Sequence, residues 1–233
     1  MNRWQRLSAQ HPLWWPNNLL ALGLLILALA SPSLLAAPAA GQILFSKGSL
    51  QIVHQGQLQT ASRGSQVWPG DTLITGHNSR ALLRFSDGTR TTLGDDTEYR
   101  IENFSLNVQG QSRATYQLVK GVFKTVTGAI AKDGPDIKDK PLVVLTPLGT
   151  LGIRGTTFWG GYLEPGKIDV LLIAGDHAVE VSNAIGSRLL TTAGEGTTLT
   201  AGSAPGTVKT WPEAKVKRAT ATVSWPELPE ALH

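Results

Sequence analysis

Leu142 to Trp159 reads LVVLTPLGTLGIRGTTFW, and the class of the fold turns on it. Val143 and Val144 run into Thr146-Pro147. Gly149, Gly152 and Gly155 then recur at every third residue before the stretch closes on Thr156, Thr157, Phe158 and Trp159. Glycine at that density, with a proline in the middle, defeats a helix, whereas Val, Ile, Thr, Phe and Trp suit a pleated surface broken by tight corners. The one charge, Arg154, must reach solvent or meet a carboxylate or backbone carbonyls, because an unpaired guanidinium is costly to bury. Arg154 is therefore expected to anchor a corner, with Phe158 or Trp159 filling the interior.

The same texture extends outward. Of 233 residues, 41% are hydrophobic, enough for a core, and 25 Gly with 13 Pro imply many turns. Runs of four to seven β-type residues recur from Ile43 to Leu199, with Gly, Asp or Asn between nearly every pair. Ala81, Leu83 and Phe85 alternate with Arg80, Leu82 and Arg84, and Asp87-Gly88 then turns the chain back. Lys167 to Ala174 (KIDVLLIA) is the most apolar β stretch beyond the leader. The expected fold is all-β, of short stacked strands in a β-helix-like or β-solenoid arrangement, with a β-sandwich as the alternative. Gly128 to Lys140 is expected to be an exposed excursion. The tail, residues 201–233, changes character: Trp211-Pro212-Glu213 and Trp225-Pro226-Glu227 flank Lys215, Lys217 and Arg218. Pro212 can start a short helix at Glu213, but Thr220 to Ser224 (TATVS) resumes β composition, and both Trp-Pro pieces are expected to dock on the parent domain.

At the N-terminus, Arg3 and Arg6 without an acid precede an apolar run from Leu19 to Ala30, and Ala37-Pro38-Ala39 has the form of a cleavage site. Residues 1–39 are expected to be a signal-peptide helix, an uncleaved membrane anchor being the alternative. Both place the domain, residues 41–200, outside the cytoplasm, in the periplasm or secreted, and membrane contact is expected only if the leader stays. Without Arg3 and Arg6 the net charge of +4 falls to +2. With no basic cluster interleaved with aromatics, nucleic acid is not an expected partner. Cysteine is absent, which excludes disulfides and thiolate metal sites.

Three ordered motifs carry a resemblance. Gly70-Asp71-Thr72-Leu73-Ile74-Thr75-Gly76, Phe85-Ser86-Asp87-Gly88-Thr89 and the run TPLGTLGIRGTTFW together resemble the FecR domain family, and Lys120-Gly121-Val122-Phe123 is similar to the element before its last motif. The resemblance implies a β-rich extracytoplasmic domain of the kind that receives signals in regulators of iron uptake. An anti-sigma region is not expected to come with it, because only about 18 residues precede the apolar run.

Candidate chemistry is sparse. Asp71 reads as a turn residue, and Asp95, Asp96 and Glu98 as a solvated acidic corner without Ca²⁺-loop spacing. Asp176 and His177 are neighbours in a strand and point apart. His54, His77, His177 and His233 show no metal-ligand spacing, and no nucleophile motif occurs. The expectation is a non-enzymatic binding or signalling module for an envelope protein or glycan, with no catalytic, metal or cofactor residues. A cell-wall hydrolase and an assembly protein pairing through β edges are the alternatives.

Overall fold

The computed structural model describes residues 38–106, 112–132, 140–175 and 177–225. Residues 1–37 of the expected leader, residues 107–111 and 133–139, Asp176 and the tail beyond Trp225 lie outside the described residues. Eighteen strands are described, numbered in chain order. They are β1 (Gly41–Lys47), β2 (Leu50–His54), β3 (Gln57–Thr60), β4 (Gln66–Val67), β5 (Thr72–Thr75), β6 (Arg80–Phe85), β7 (Arg90–Leu93), β8 (Glu98–Ser105) and β9 (Arg113–Lys120). Then follow β10 (Val122–Val126), β11 (Leu142–Thr146), β12 (Gly149–Ile153), β13 (Thr156–Glu164), β14 (Lys167–Gly175), β15 (Val179–Ser182), β16 (Ser187–Leu190), β17 (Glu195–Thr200) and β18 (Lys209–Thr210). One helix, α1 (Glu213–Ala221), follows them.

The strands form two open sheets of nine. The first runs β18-β17-β14-β13-β10-β7-β6-β1-β4 and the second β16-β15-β12-β11-β9-β8-β5-β2-β3. The chain crosses repeatedly between them, so both sheets grow together. A solenoid is not confirmed. Corresponding strands of successive solenoid rungs pair in parallel, whereas among the described pairings only β9 with β11 is parallel. Tight turns explain the difference. At Gln55-Gly56 both residues have positive φ, 50° and 78°, a geometry that folds β2 straight back on β3 within one sheet.

Period-2 patterning decides which side chains point inward. Tyr99 and Ile101 of β8 and Ala114, Tyr116 and Leu118 of β9 face the core from the second sheet, while Leu83, Phe85, Phe123 and Phe158 face it from the first. A file of rings runs through this core: Phe104, Phe85, Tyr116, Tyr99, Phe123 and Phe158, with successive centroids 4.9 to 5.6 Å apart. Aromatic pairs at such spacings add to the gain from area burial alone. Ile130 and Ala131 also enter the core, so the start of the expected excursion is a docked 3₁₀ turn, not an exposed loop.

The outer face of the first sheet is covered by the chain's own tail. Trp159, Leu171 and Val122 pack there against Trp211, Ala219 and Val223, and Leu82 against Trp225. Phe158 thus fills the interior, while Trp159 fills the space under α1. The helix starts at Glu213 as expected; Thr220 and Ala221 close it, where the sequence suggested a return to β structure. Lys215 Nζ lies 2.7 Å from the buried Asp169 carboxylate and 3.9 Å from the Trp211 ring centroid, and Trp159 Nε1 donates to Thr222 Oγ1 at 3.0 Å. Both Trp-Pro tryptophans are buried, at 8% and 6% exposure.

Candidate functional site

The aspartates of the first two motifs and the threonine that opens the third are engaged within the fold. Asp71 is buried; its Oδ2 accepts the Trp68 N–H at 2.8 Å and its Oδ1 lies 2.6 Å from His54 Nδ1. Its carbonyl accepts the Ile101 N–H at 2.9 Å, tying this turn to β8. Asp87 accepts from the Thr89 N–H at 2.9 Å and the Thr89 hydroxyl at 2.7 Å, and from the Ile130 N–H at 3.3 Å, which pins the segment after β10. In the third motif, Thr146 Oγ1 accepts the Gly149 N–H at 3.0 Å and donates to the Gly149 carbonyl at 2.7 Å, so Thr146-Pro147-Leu148-Gly149 is a closed turn. Arg154 sits half-buried at the corner between β12 and β13, its N–H donating to the Ala178 carbonyl at 3.4 Å. Its side chain is not free. Gly155 beside it has φ of 54°, and a Cβ there would lie 2.8 Å from His177 Nδ1.

Two histidines acquire carboxylate partners that no sequence spacing announces. His54, half-buried and tilted against Trp68 with centroids 4.9 Å apart, holds Asp71 across 17 residues. His77 Nδ1 lies 3.3 Å from Asp96 Oδ2, and the donor atoms of His77, Asp95 and Asp96 fall within 4.8 Å of one another. Arg80 already balances Asp95 at 3.3 Å, and the group is open to solvent, as a hydrated corner is. His177 is exposed and its neighbour Asp176 lies outside the described residues. The observed histidine partners are carboxylates, an arrangement that orients a ring and supplies no nucleophile.

Two grooves are the roomiest of those formed by the described residues. One, of about 460 Å³, runs beneath the β13–β14 hairpin, between Val119, Lys120, Tyr162, Leu163 and Pro165, with Asp95, Asp96 and Glu164 at its rim. Burial pushes the Tyr162 hydroxyl above its ordinary range, and the hydrogen bond from Lys167 holds the Glu164 carboxyl below its own. The other, of about 560 Å³, lies at the end of the two sheets where three turns meet: Thr146–Thr150, Ser182–Ile185 and Thr200–Gly202. None of the twelve residues lining it is ionisable. Asn183 shapes it, its Oδ1 accepting from the Ile185 and Gly186 N–H groups at 2.9 and 3.1 Å while its Nδ2 reaches the Ser203 carbonyl at 2.7 Å. Ile185 stands on the rim, 58% exposed. The readable signal was Asn183 followed three residues later by Gly186, a turn built on an Asn side chain.

Residues 71–176 match the family described as FecR protein. Two crystal structures of a candidate anti-sigma factor from Parabacteroides distasonis ATCC 8503 are similar, each at 19% identity and a TM-score of 0.48, covering 63% of this chain and 62% of that one. The chain thus spans less than two thirds of the solved chains it matches. No curated protein matches.

Proposed function

Since residues 71–176 of this chain form a FecR-family domain, we propose that it is a signalling or regulatory module that acts by binding, without chemistry of its own, and that recognises an envelope protein or glycan outside the cytoplasm. One observation carries the reading: the larger open groove, next to the third motif's turn, has no ionisable side chain. An acid–base or nucleophilic mechanism needs a titratable group in reach of the reacting atoms. A neutral groove formed by hydroxyls, backbone and the apolar Leu148 and Ile185 suits recognition of an uncharged surface instead. The basic, apolar leader supports placement in the periplasm or beyond.

Capture from an envelope extract tests the reading. The expected result is one saturable partner, retained by the native protein and lost by Ile185→Glu at unchanged melting temperature, because Ile185 already faces solvent. Capture that survives both Ile185→Glu and Leu148→Glu, or turnover of a glycan or peptide by the native protein, overturns it.

A further inference from the structure

The two sheets have four edges, and they are not equally guarded. In the first sheet the edges are β4 and β18, each two residues long, and β18 carries Lys209. In the second they are β16, which carries Arg188, and β3, Gln57-Leu58-Gln59-Thr60. Short edges, charges, prolines and bulges are the usual devices that keep an open edge from pairing with another strand. β3 has none of them: it is four residues long, uncharged, in unbroken register with β2 and exposed throughout.

The backbone of β3 is also set for pairing. His54 and Gln57 flank the two-residue turn, and Ile52↔Gln59 lies two places on. The Ala61 N–H reaches back to the Leu50 carbonyl at 2.9 Å. In an antiparallel ladder, hydrogen-bonded pairs alternate with non-bonded ones. Gln57, Gln59 and Ala61 therefore direct their backbone groups toward β2, and Leu58 and Thr60 direct theirs away from the sheet. We propose that β3 is a self-association edge, across which a second copy of this chain adds its own β3 in antiparallel register about a two-fold axis at Gln59.

That register satisfies all four outward groups. Leu58 exchanges both hydrogen bonds with Thr60 of the other copy, and Thr60 with its Leu58. Across the axis the two Gln59 residues form a non-bonded pair, their side chains close enough to join amide to amide. On the outer face the two Leu58 side chains, each 59% exposed, approach diagonally. A two-fold contact sets every strand against itself, so a charged edge repels its copy. β3 carries no charge to repel, whereas on β16 two Arg188 guanidinium groups would be brought together. This selects a second copy as the occupant of β3. One short strand buries less than the ~1,200 Å² of a standard stable interface, so the association is concentration-dependent. The inference is independent of what the neutral groove binds.

The sequence contains no cysteine, which makes the test clean. Non-bonded antiparallel partners sit about 4.5 Å apart at Cα, within disulfide range. On mild oxidation the Gln59→Cys variant is expected to form a disulfide-linked dimer, and Leu189→Cys, on the opposite edge, to remain monomeric. Sedimentation of the native protein is expected to shift toward dimer as concentration rises, and Leu58→Lys to abolish the shift while leaving the melting temperature unchanged. A native protein that stays monomeric throughout, a dimer indifferent to Leu58→Lys, or equal cross-linking at positions 59 and 189 overturns the proposal.

Discussion

Asp71 shows how a single carboxylate can hold a turn. Buried to within 2% of full enclosure, it has two partners, the Trp68 N–H and the His54 ring, and its own carbonyl is bound by β8. Removing the carboxylate leaves the part-buried Trp68 N–H without its acceptor, which costs about 1 to 3 kcal/mol. Asp71→Ala is expected to lower stability by about 2 kcal/mol in urea unfolding, and a double-mutant cycle with His54→Ala is expected to show coupling, since the two are in contact. Additive effects would sink that account. The turn role of Asp71 was legible from Gly70-Asp71 alone, because an Asp after Gly is a local signal. His54 was not legible, because 17 residues and a sheet pairing separate it from its partner. Arg154 is a similar corner residue in the third motif, and Arg154→Ala is expected to cost about 1 to 3 kcal/mol by the same measurement.

Among the elements, the tail was expected to dock its Trp-Pro pieces on the domain, but the face they cover was not legible. β14 reads Ile168-Asp169-Val170-Leu171-Leu172, all buried, with Ile168, Val170 and Leu172 in the core and Leu171 on the opposite face under Trp211. A continuous apolar run in a strand means that both faces are covered. That signal was present in KIDVLLIA, but the sequence does not say what supplies the second cover. The tryptophans of the tail do. Gly196 leaves room for the indole of Trp211, which a Cβ at that position would strike. Trp211→Ala is expected to cost about 3 kcal/mol, within the range for large-to-small changes at buried aromatics. Gly196→Val is expected to destabilise as well, and to raise tryptophan emission at longer wavelength as Trp211 is driven into water. If Gly196→Val leaves both stability and emission unchanged, Trp211 does not depend on that gap.

At the scale of the molecule, the core confines two phenols. Tyr99 and Tyr116 stack at 5.6 Å, and neither hydroxyl has a hydrogen-bond partner among the described residues. Burial pushes both well above their ordinary range, and for Tyr116 the neighbouring Tyr99 and Asp87 add to the shift. Above about pH 10 the unfolded chain releases these protons while the folded one retains them, so the unfolded state binds fewer protons and stability falls as pH rises. The slope is about 1.4 kcal/mol per pH unit for each tyrosine that stays protonated in the fold. Lys124, lowered by burial and by Arg90, works in the opposite direction just below its ordinary value, but it is one group against two. Alkaline unfolding is therefore expected, with phenolate absorbance appearing together with loss of structure; titration of all tyrosines while the fold persists would contradict it. The all-β class and the turn positions were legible because strand period and turn chemistry are local. Two sheets in place of a coil were not, since a corner such as Gln55-Gly56 does not state whether the next strand joins the same sheet or the facing one.

The order of strands within the sheets has a consequence in time. Each sheet is filled almost in sequence, and no strand pairs with one more than five places along the chain, β1 with β6 being the widest step. Contacts that are near in sequence form early and at small entropic cost. A chain emerging N-terminus first, from a ribosome or through a membrane channel, can therefore lay down β1 to β7 and extend both sheets by accretion, without waiting for distant partners. The last of the described segments to arrive is the one that carries Trp211, α1 and Trp225. Until it docks, the outer face of the first sheet is unsealed, so its docking is the moment at which the growing domain becomes closed.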